Sequence, residues 1–214
     1  MDQAATPLLE TRALTKEFRG FRAVSEVDLV VREGTMHALV GPNGAGKTTL
    51  FNLLTGFLTP TSGTIVFADQ DITGRQPEQI AHLGIARSFQ ITSLFDQLTL
   101  GEHLELALAS PTGMGMQFWR SVNRLAIFRN RSMELLDEPT AGMGIEDVER
   151  TIALVKQIST GRTVVFVDHN MHVVGSLADT VTVLQSGSVL AEGPYEQVRQ
   201  DERVITAYLG SAHA

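Results

Sequence analysis

Hydrophobic and polar positions change rhythm several times along this chain. In the first third they alternate or gather in short blocks. "LLETRAL", "AVSEVDLVV" and "MHALVG" each read as a strand, the last running into a glycine-rich turn. A helix is expected from about Lys47 to Phe57, closed by "TPTSG", whose proline, serine and glycine are turn formers. "GTIVFADQDI" reads as a hairpin-like strand pair, "PEQIAHLG" as a short helix opened by proline and closed by Gly84, and "IARSFQ" as another strand. From Ile91 to Glu134 the periodicity is helical ("LTLGEHLELALA", "QFWRSVNRLAIF") and is broken by "SPTGMGM", outlining an inserted helical subdomain over residues 91–134. Strand–helix alternation then resumes. "IEDVERTIALVKQIS" places apolar residues at 145, 148, 152, 155 and 158, one face of an amphipathic helix. "TVVFVD" is a buried strand, "MHVVGSLAD" a helix, and "TVTVLQSGSVLAEG" a strand pair turning at Ser186-Gly187, with two short helices after it. Such alternation predicts an α/β fold with a largely parallel core sheet.

One stretch resists this reading. "RNRSMELLDEPT", residues 129–140, begins like a solvated helix and ends like a buried strand. Glu134 stands only three residues before Asp137, where a parallel strand should be continuously apolar. An unpaired carboxylate inside a sheet is costly.

Composition narrows the class. At 43 % hydrophobic and 19 % charged residues, 214 residues make one ordinary globular domain, with or without a small insertion. The net charge of −7 argues against nucleic acid as the main partner. The absence of cysteine excludes disulfides and thiolate metal sites and suits a reducing compartment. The N-terminal stretch lacks the basic and apolar regions of a signal peptide. Apolar runs such as Val164–Val167 fall far short of a membrane span.

The strongest chemical signal is "GPNGAGKTT", Gly41 to Thr49, which satisfies G-x-x-x-x-G-K-[ST] between a predicted strand and a predicted helix. Gly41, Gly44 and Gly46 let the backbone curl, so that N–H groups along Gly41–Pro42–Asn43–Gly44–Ala45–Gly46 and the helix N-terminus can face phosphate. Lys47 reaches the β- and γ-phosphates, the Thr48 hydroxyl ligates Mg²⁺, and Thr49 adds a phosphate contact. The chain is therefore expected to bind a nucleoside triphosphate. "LLDEPT" offers Asp137 as the Mg²⁺ carboxylate and Glu138 as the group that activates water. Gln90 ends a strand where its amide could reach Mg²⁺ or that water. Without such context it is equally a surface glutamine. His169 follows "TVVFVD" at the sheet's carboxyl edge, where its imidazole could bond the γ-phosphate. Phe18 could stack on an adenine, though alone such a residue is more often core. His37, His82, His103 and His172 read as structural or surface residues.

With these pieces in order, the chain resembles the ATP-binding subunit of ABC transporters. "GPNGAGKTT" is similar to the family's Walker A, Gln90 to its Q-loop glutamine, "LLDEPT" to Walker B with the catalytic glutamate, His169 to the switch histidine and Phe18 to the adenine-stacking residue. "NLLTGFLTPTSGTIVF", "RSFQITSLFDQLT", "DEPTAGMG" and "VLAEGPYEQVRQDERVITAYLG" are similar to subunits serving branched-chain amino acid uptake in bacteria. The resemblance implies the ABC-ATPase form of the P-loop NTPase fold: an ATP-binding core over 1–90 and 135–214, with an N-terminal antiparallel β part and the helical insertion. It also implies ATP and Mg²⁺, a second ATP-binding subunit (the same or different), transmembrane permease subunits, indirectly a solute-binding protein, and a place at the cytoplasmic face of the membrane. In that family each site is completed by the partner's signature loop, usually similar to LSGGQ. No such motif occurs here, and Gln90 to Asp137 is shorter than the resemblance implies, which points to a missing segment after Glu134. If that segment is truly absent, the alternative is a nucleotide-gated, non-catalytic interaction subunit. "AGMG" also puts Gly144, and "HN" puts Asn170, where the family commonly has acidic residues. An ABC-type ATPase of DNA repair or translation should show a coiled-coil insertion, tandem domains or a basic surface. A small-molecule kinase would want an arginine-bearing lid.

Overall fold

The structure is a computed structural model that describes residues 6–88, 133–140 and 145–210. Its first layer is an antiparallel sheet in the order β2-β1-β4-β5, formed by β1 (Pro7–Phe18), β2 (Phe21–Arg32), β4 (Ser62–Phe67) and β5 (Gln70–Asp71). β1 and β2 are a long hairpin closed at Phe18↔Phe21, with Arg19 and Gly20 both at positive φ, as a two-residue turn requires. The second layer is a six-stranded sheet in the order β10-β9-β3-β8-β7-β6. It contains β3 (Met36–Val40), β6 (Ile85–Ser88), β7 (Met133–Asp137), β8 (Thr163–Val167), β9 (Thr180–Gln185) and β10 (Ser188–Gly193). All its pairings are parallel except β9–β10. β3 and β8 are buried at every residue, as parallel strands covered on both faces must be.

Helix α1 (Lys47–Leu54) lies between the sheets. Its Leu50, Phe51, Leu53 and Leu54 join Leu9, Leu29 and Ile65 of the first sheet and Leu39, Leu135 and Val165 of the second in one core. The sequence extends this helix to Phe57, but it stops three residues earlier. Gly56 at φ +75 ends it, and a Cβ there would meet the Arg75 carbonyl at 2.5 Å. Helix α2 (Pro77–His82) opens with a capping box in which Gln76 and Gln79 satisfy each other's backbone N–H groups. The opposite face of the large sheet carries a second core. Val148, Ile152 and Val155 of α3 (Ile145–Ile158) and Val173, Val174 and Leu177 of α4 (Met171–Leu177) pack there against Ala38, Leu136, Phe166 and Val181. Helices α5 (Tyr195–Val198) and α6 (Glu202–Gly210) complete that layer.

β7 corrects the reading of residues 129–140. Met133 and Glu134 are not the end of a solvated helix; they are strand residues paired with Ile85 and Ala86 on one side and Thr163 and Val164 on the other. Glu134 is 7 % exposed, and Arg162 donates to its Oε1 at 2.8 Å. Burial pushes the Glu134 carboxyl upward and the Arg162 charge opposes this. The strand runs from Met133 to Asp137, with Glu134 in register between Ala86 and Val164. Of the predicted helical subdomain, residues 91–132 lie outside the described residues.

Candidate functional site

Three strands of the large sheet end at one level. Leu39 of β3 and Asp137 of β7 both register with Val167 of β8, so the chain leaves all three at the same carboxyl edge. That edge of an open α/β sheet is where ligands bind. From β3 the chain enters the 41–49 loop, from β7 it reaches Glu138, and from β8 it reaches Asp168 and His169.

The loop needs its glycines for packing as well as for curvature. Gly46 stands at φ +103 at the N-cap of α1, and a Cβ there would meet the Ala23 carbonyl at 2.4 Å. At Gly41 a Cβ would meet the Leu184 carbonyl at 2.2 Å. Lys47, the first residue of α1, is buried and donates to the carbonyls of Gly41 at 2.6 Å and Pro42 at 3.0 Å. Its pKa is lowered by burial, while Glu138 and Asp137 act to raise it. The ammonium is therefore held inside its own loop, near two carboxylates. Asn43, Gly44 and Thr48 are exposed, Ala45 is buried, and Pro42 and Thr49 are half-buried.

Glu138 follows β7 with φ +47, a left-handed conformation uncommon for a non-glycine residue. Its N–H bonds the Val167 carbonyl at 2.8 Å, and its Oε1 stands 2.6 Å from His169 Nε2. Two residues that sequence assigns to catalysis thus meet across thirty-one positions of chain. Both are accessible, His169 at 51 % and Glu138 at 32 % exposure. Asp137 is less free. Arg87 donates to its Oδ2 at 3.0 Å, and Arg87 also donates to Asn52 of α1 at 2.6 Å. The guanidinium lies over Phe51 and Phe57, 5.7 and 5.9 Å from their ring centroids.

Sequence reasoning assigned no role to Arg87 or Asp168. Asp168 is 4 % exposed and accepts from the Thr140 hydroxyl at 2.6 Å and the Asn170 N–H at 2.8 Å. It ties the loop carrying Glu138 to the loop carrying His169. The only signal was a carboxylate directly before a candidate histidine. Phe18 sits at the hairpin tip, 43 % exposed, with the Lys16 ammonium 5.2 Å from its ring centroid. Gln90 lies outside the described residues.

Thr48 and Asp137 are oxygen donors of the kind that suit Mg²⁺, which keeps several waters and takes only one or two protein carboxylates beside its phosphates. That fits the described residues, where no cluster of three or more acidic or histidine side chains is preassembled.

A glycine-rich loop with a sequestered lysine, closed by a glutamate–histidine pair on neighbouring strand ends, defines a P-loop nucleotide-hydrolase site. The family described as ABC transporter matches residues 24–169, and that described as branched-chain amino acid ATP-binding cassette transporter matches residues 188–214. The chain belongs to the ATP-binding ATPase subunits of ABC transporters, in the branched-chain amino acid group. It is 33 % identical to the high-affinity branched-chain amino acid transport ATP-binding protein LivG of Escherichia coli K12, covering 96 % of this chain and 99 % of that protein. It is 34 % identical to BraF of Pseudomonas aeruginosa over the same shares. The crystal structure of the ADP conformation of MJ1267, an ATP-binding cassette of an ABC transporter, superposes with a TM-score of 0.77 at 25 % identity, covering 96 % of this chain and all of that one. The LivG alignment runs over 252 positions, whereas 96 % of 214 residues is about 205, so about 47 aligned positions carry no residue of this chain.

Proposed function

We propose that the chain powers uptake of branched-chain amino acids from the cytoplasmic face of a membrane, paired with a second ATP-binding subunit beneath transmembrane permease subunits that a solute-binding protein supplies. The observation that carries this reading is the Glu138–His169 pair standing at the same sheet edge as the Lys47 loop. The names of LivG and BraF support the solute. No helix among the described residues is long and apolar enough to cross a membrane, so attachment would come through partners.

In the proposed cycle Lys47 turns from the Gly41 and Pro42 carbonyls to the β- and γ-phosphates, while backbone N–H groups of the loop and Thr49 hold the remaining phosphate oxygens. Phe18 stacks on the adenine. Glu138 orients the attacking water and accepts its proton, with its carboxylate steered by His169, whose imidazole also bonds the γ-phosphate. Thr48, Asp137 and Gln90 would hold Mg²⁺, which neutralises charge on the phosphates when bound. Arg87 keeps Asp137 turned toward α1 until then. Closure onto the second subunit excludes water from the site.

A direct titration tests the cradle. Lys47→Ala should weaken ATP binding by about ten- to a hundredfold, the worth of one charge-assisted contact. Wild-type affinity in the variant would overturn the assignment.

A further inference from the structure

Asp168 is a buried carboxylate to which the proposed cycle gives no role. It follows β8, and its two oxygens serve different loops. Oδ1 accepts from the Asn170 N–H at 2.8 Å, which closes a turn around His169 by joining the residue before the imidazole to the residue after it. Asn170 in turn caps α4, its side chain accepting from the His172 N–H at 3.0 Å. Oδ2 accepts from the Thr140 hydroxyl at 2.6 Å, which fastens the chain two residues beyond Glu138. Thr140 is buried as well, so this bond lies out of water, where it is stronger. On its other side Glu138 donates its own N–H to the Val167 carbonyl at 2.8 Å. The Glu138 arm is therefore tied to β8 at two successive residues, Val167 and Asp168. Such double fixing is what a non-glycine residue at φ +47 requires.

We propose that Asp168 and Thr140 are positioning residues for hydrolysis: the bond between them sets where Glu138 stands relative to His169. This rests on the reading of Glu138 as the group that orients the attacking water. A general base acts only within hydrogen-bond reach of the proton it takes, and a misplacement of about 1 Å can lower a rate about a hundredfold. Glu138 and His169 are solvent-accessible side chains on separate loops, and their mutual contact at 2.6 Å does not fix where the pair stands over the sheet edge. The buried carboxylate beneath them does, because one side chain holds the backbone of both loops. Neither Asp168 nor Thr140 belongs to the Lys47 loop, so the tie governs turnover and leaves nucleotide affinity alone.

The test is Thr140→Val, which keeps the shape of the side chain and removes its hydroxyl, beside Thr140→Ser, which retains one. In the full chain, MgATP affinity is titrated and amide hydrogen exchange is followed over residues 137–140 and 168–172; in the assembled transporter, phosphate release is measured. Thr140→Val should bind MgATP as wild type does, exchange faster in both segments and turn over about tenfold more slowly. Thr140→Ser should recover most of the lost turnover. Because the tie acts through Glu138, adding Thr140→Val to Glu138→Gln should leave the residual turnover of Glu138→Gln unchanged. Wild-type turnover or wild-type exchange in Thr140→Val, no recovery in Thr140→Ser, or a further tenfold loss on top of Glu138→Gln would overturn the positioning role alone. Full turnover in Glu138→Gln itself would instead overturn the role of Glu138 and this inference with it.

Discussion

His37 shows how one residue's surroundings become a property of the whole protein. It lies in the central strand β3, 1 % exposed, and its Nε2 stands 2.7 Å from the Thr182 hydroxyl, which itself donates to Glu192 at 2.6 Å. Because the hydroxyl proton is committed to the carboxylate, its oxygen accepts from His37, so the imidazole carries a proton on Nε2. Burial lowers the His37 pKa from 6.5 to about 4. The unfolded chain therefore binds a proton between those values that the folded chain refuses. Stability is unaffected by this group above about pH 6.5 and falls as the pH drops toward 4, by about 3 kcal/mol if the full shift applies. Urea unfolding of wild type and His37→Gln across pH 4–7 isolates this term. Their stability difference should shift in favour of the variant on acidification, and a pH-independent difference would contradict it. The imidazole was read from sequence as structural or surface, and its burial makes it structural.

At the scale of elements, most of the fold was legible because the periodicities were strong. β3 and β8 are buried throughout and apolar except at His37 and Thr163, and α3 buries Val148, Ile152 and Val155 from one stripe. The misreading was at β7, and its cause is long-range. A carboxylate in a strand is intelligible only with its partner in view, and Arg162 is twenty-eight residues away at the entrance to β8. Likewise, nothing local announces that Arg87 of β6 bridges Asn52 and Asp137. The candidate site was legible in its chemistry, since the glycine-lysine loop and the acidic pair declare themselves. The Glu138–His169 contact and the Asp168 tie come from strand order, which residue spacing does not encode. The β7 ion pair makes its own prediction. Arg162→Ala leaves Glu134 buried and uncompensated, which should cost about 3–5 kcal/mol. The double variant Glu134→Leu, Arg162→Met should recover most of that loss. Urea unfolding measures both, and a single variant within about 0.5 kcal/mol of wild type would show that the pair is not what admits Glu134 to the sheet.

At the scale of the whole molecule, the two sheets and their helices serve one edge. The antiparallel sheet supports α1 and presents Phe18, the parallel sheet aligns the ends of β3, β7 and β8, and the C-terminal helices pack into the second core of that sheet. The chain is shorter than LivG-type relatives by about 47 aligned positions and contains no LSGGQ-like motif. Its own site nonetheless retains the loop, the lysine and the glutamate–histidine pair. Under the proposed function this retained site hydrolyses ATP through Glu138, within a subunit assembly.

The most direct measurement is steady-state phosphate release by the assembled transporter containing wild type or Glu138→Gln, with ATP binding titrated on the same preparations. Binding should be unchanged or tighter and turnover reduced by at least about a hundredfold, the usual scale for loss of a general base. Turnover equal to wild type would remove Glu138 from its role in hydrolysis.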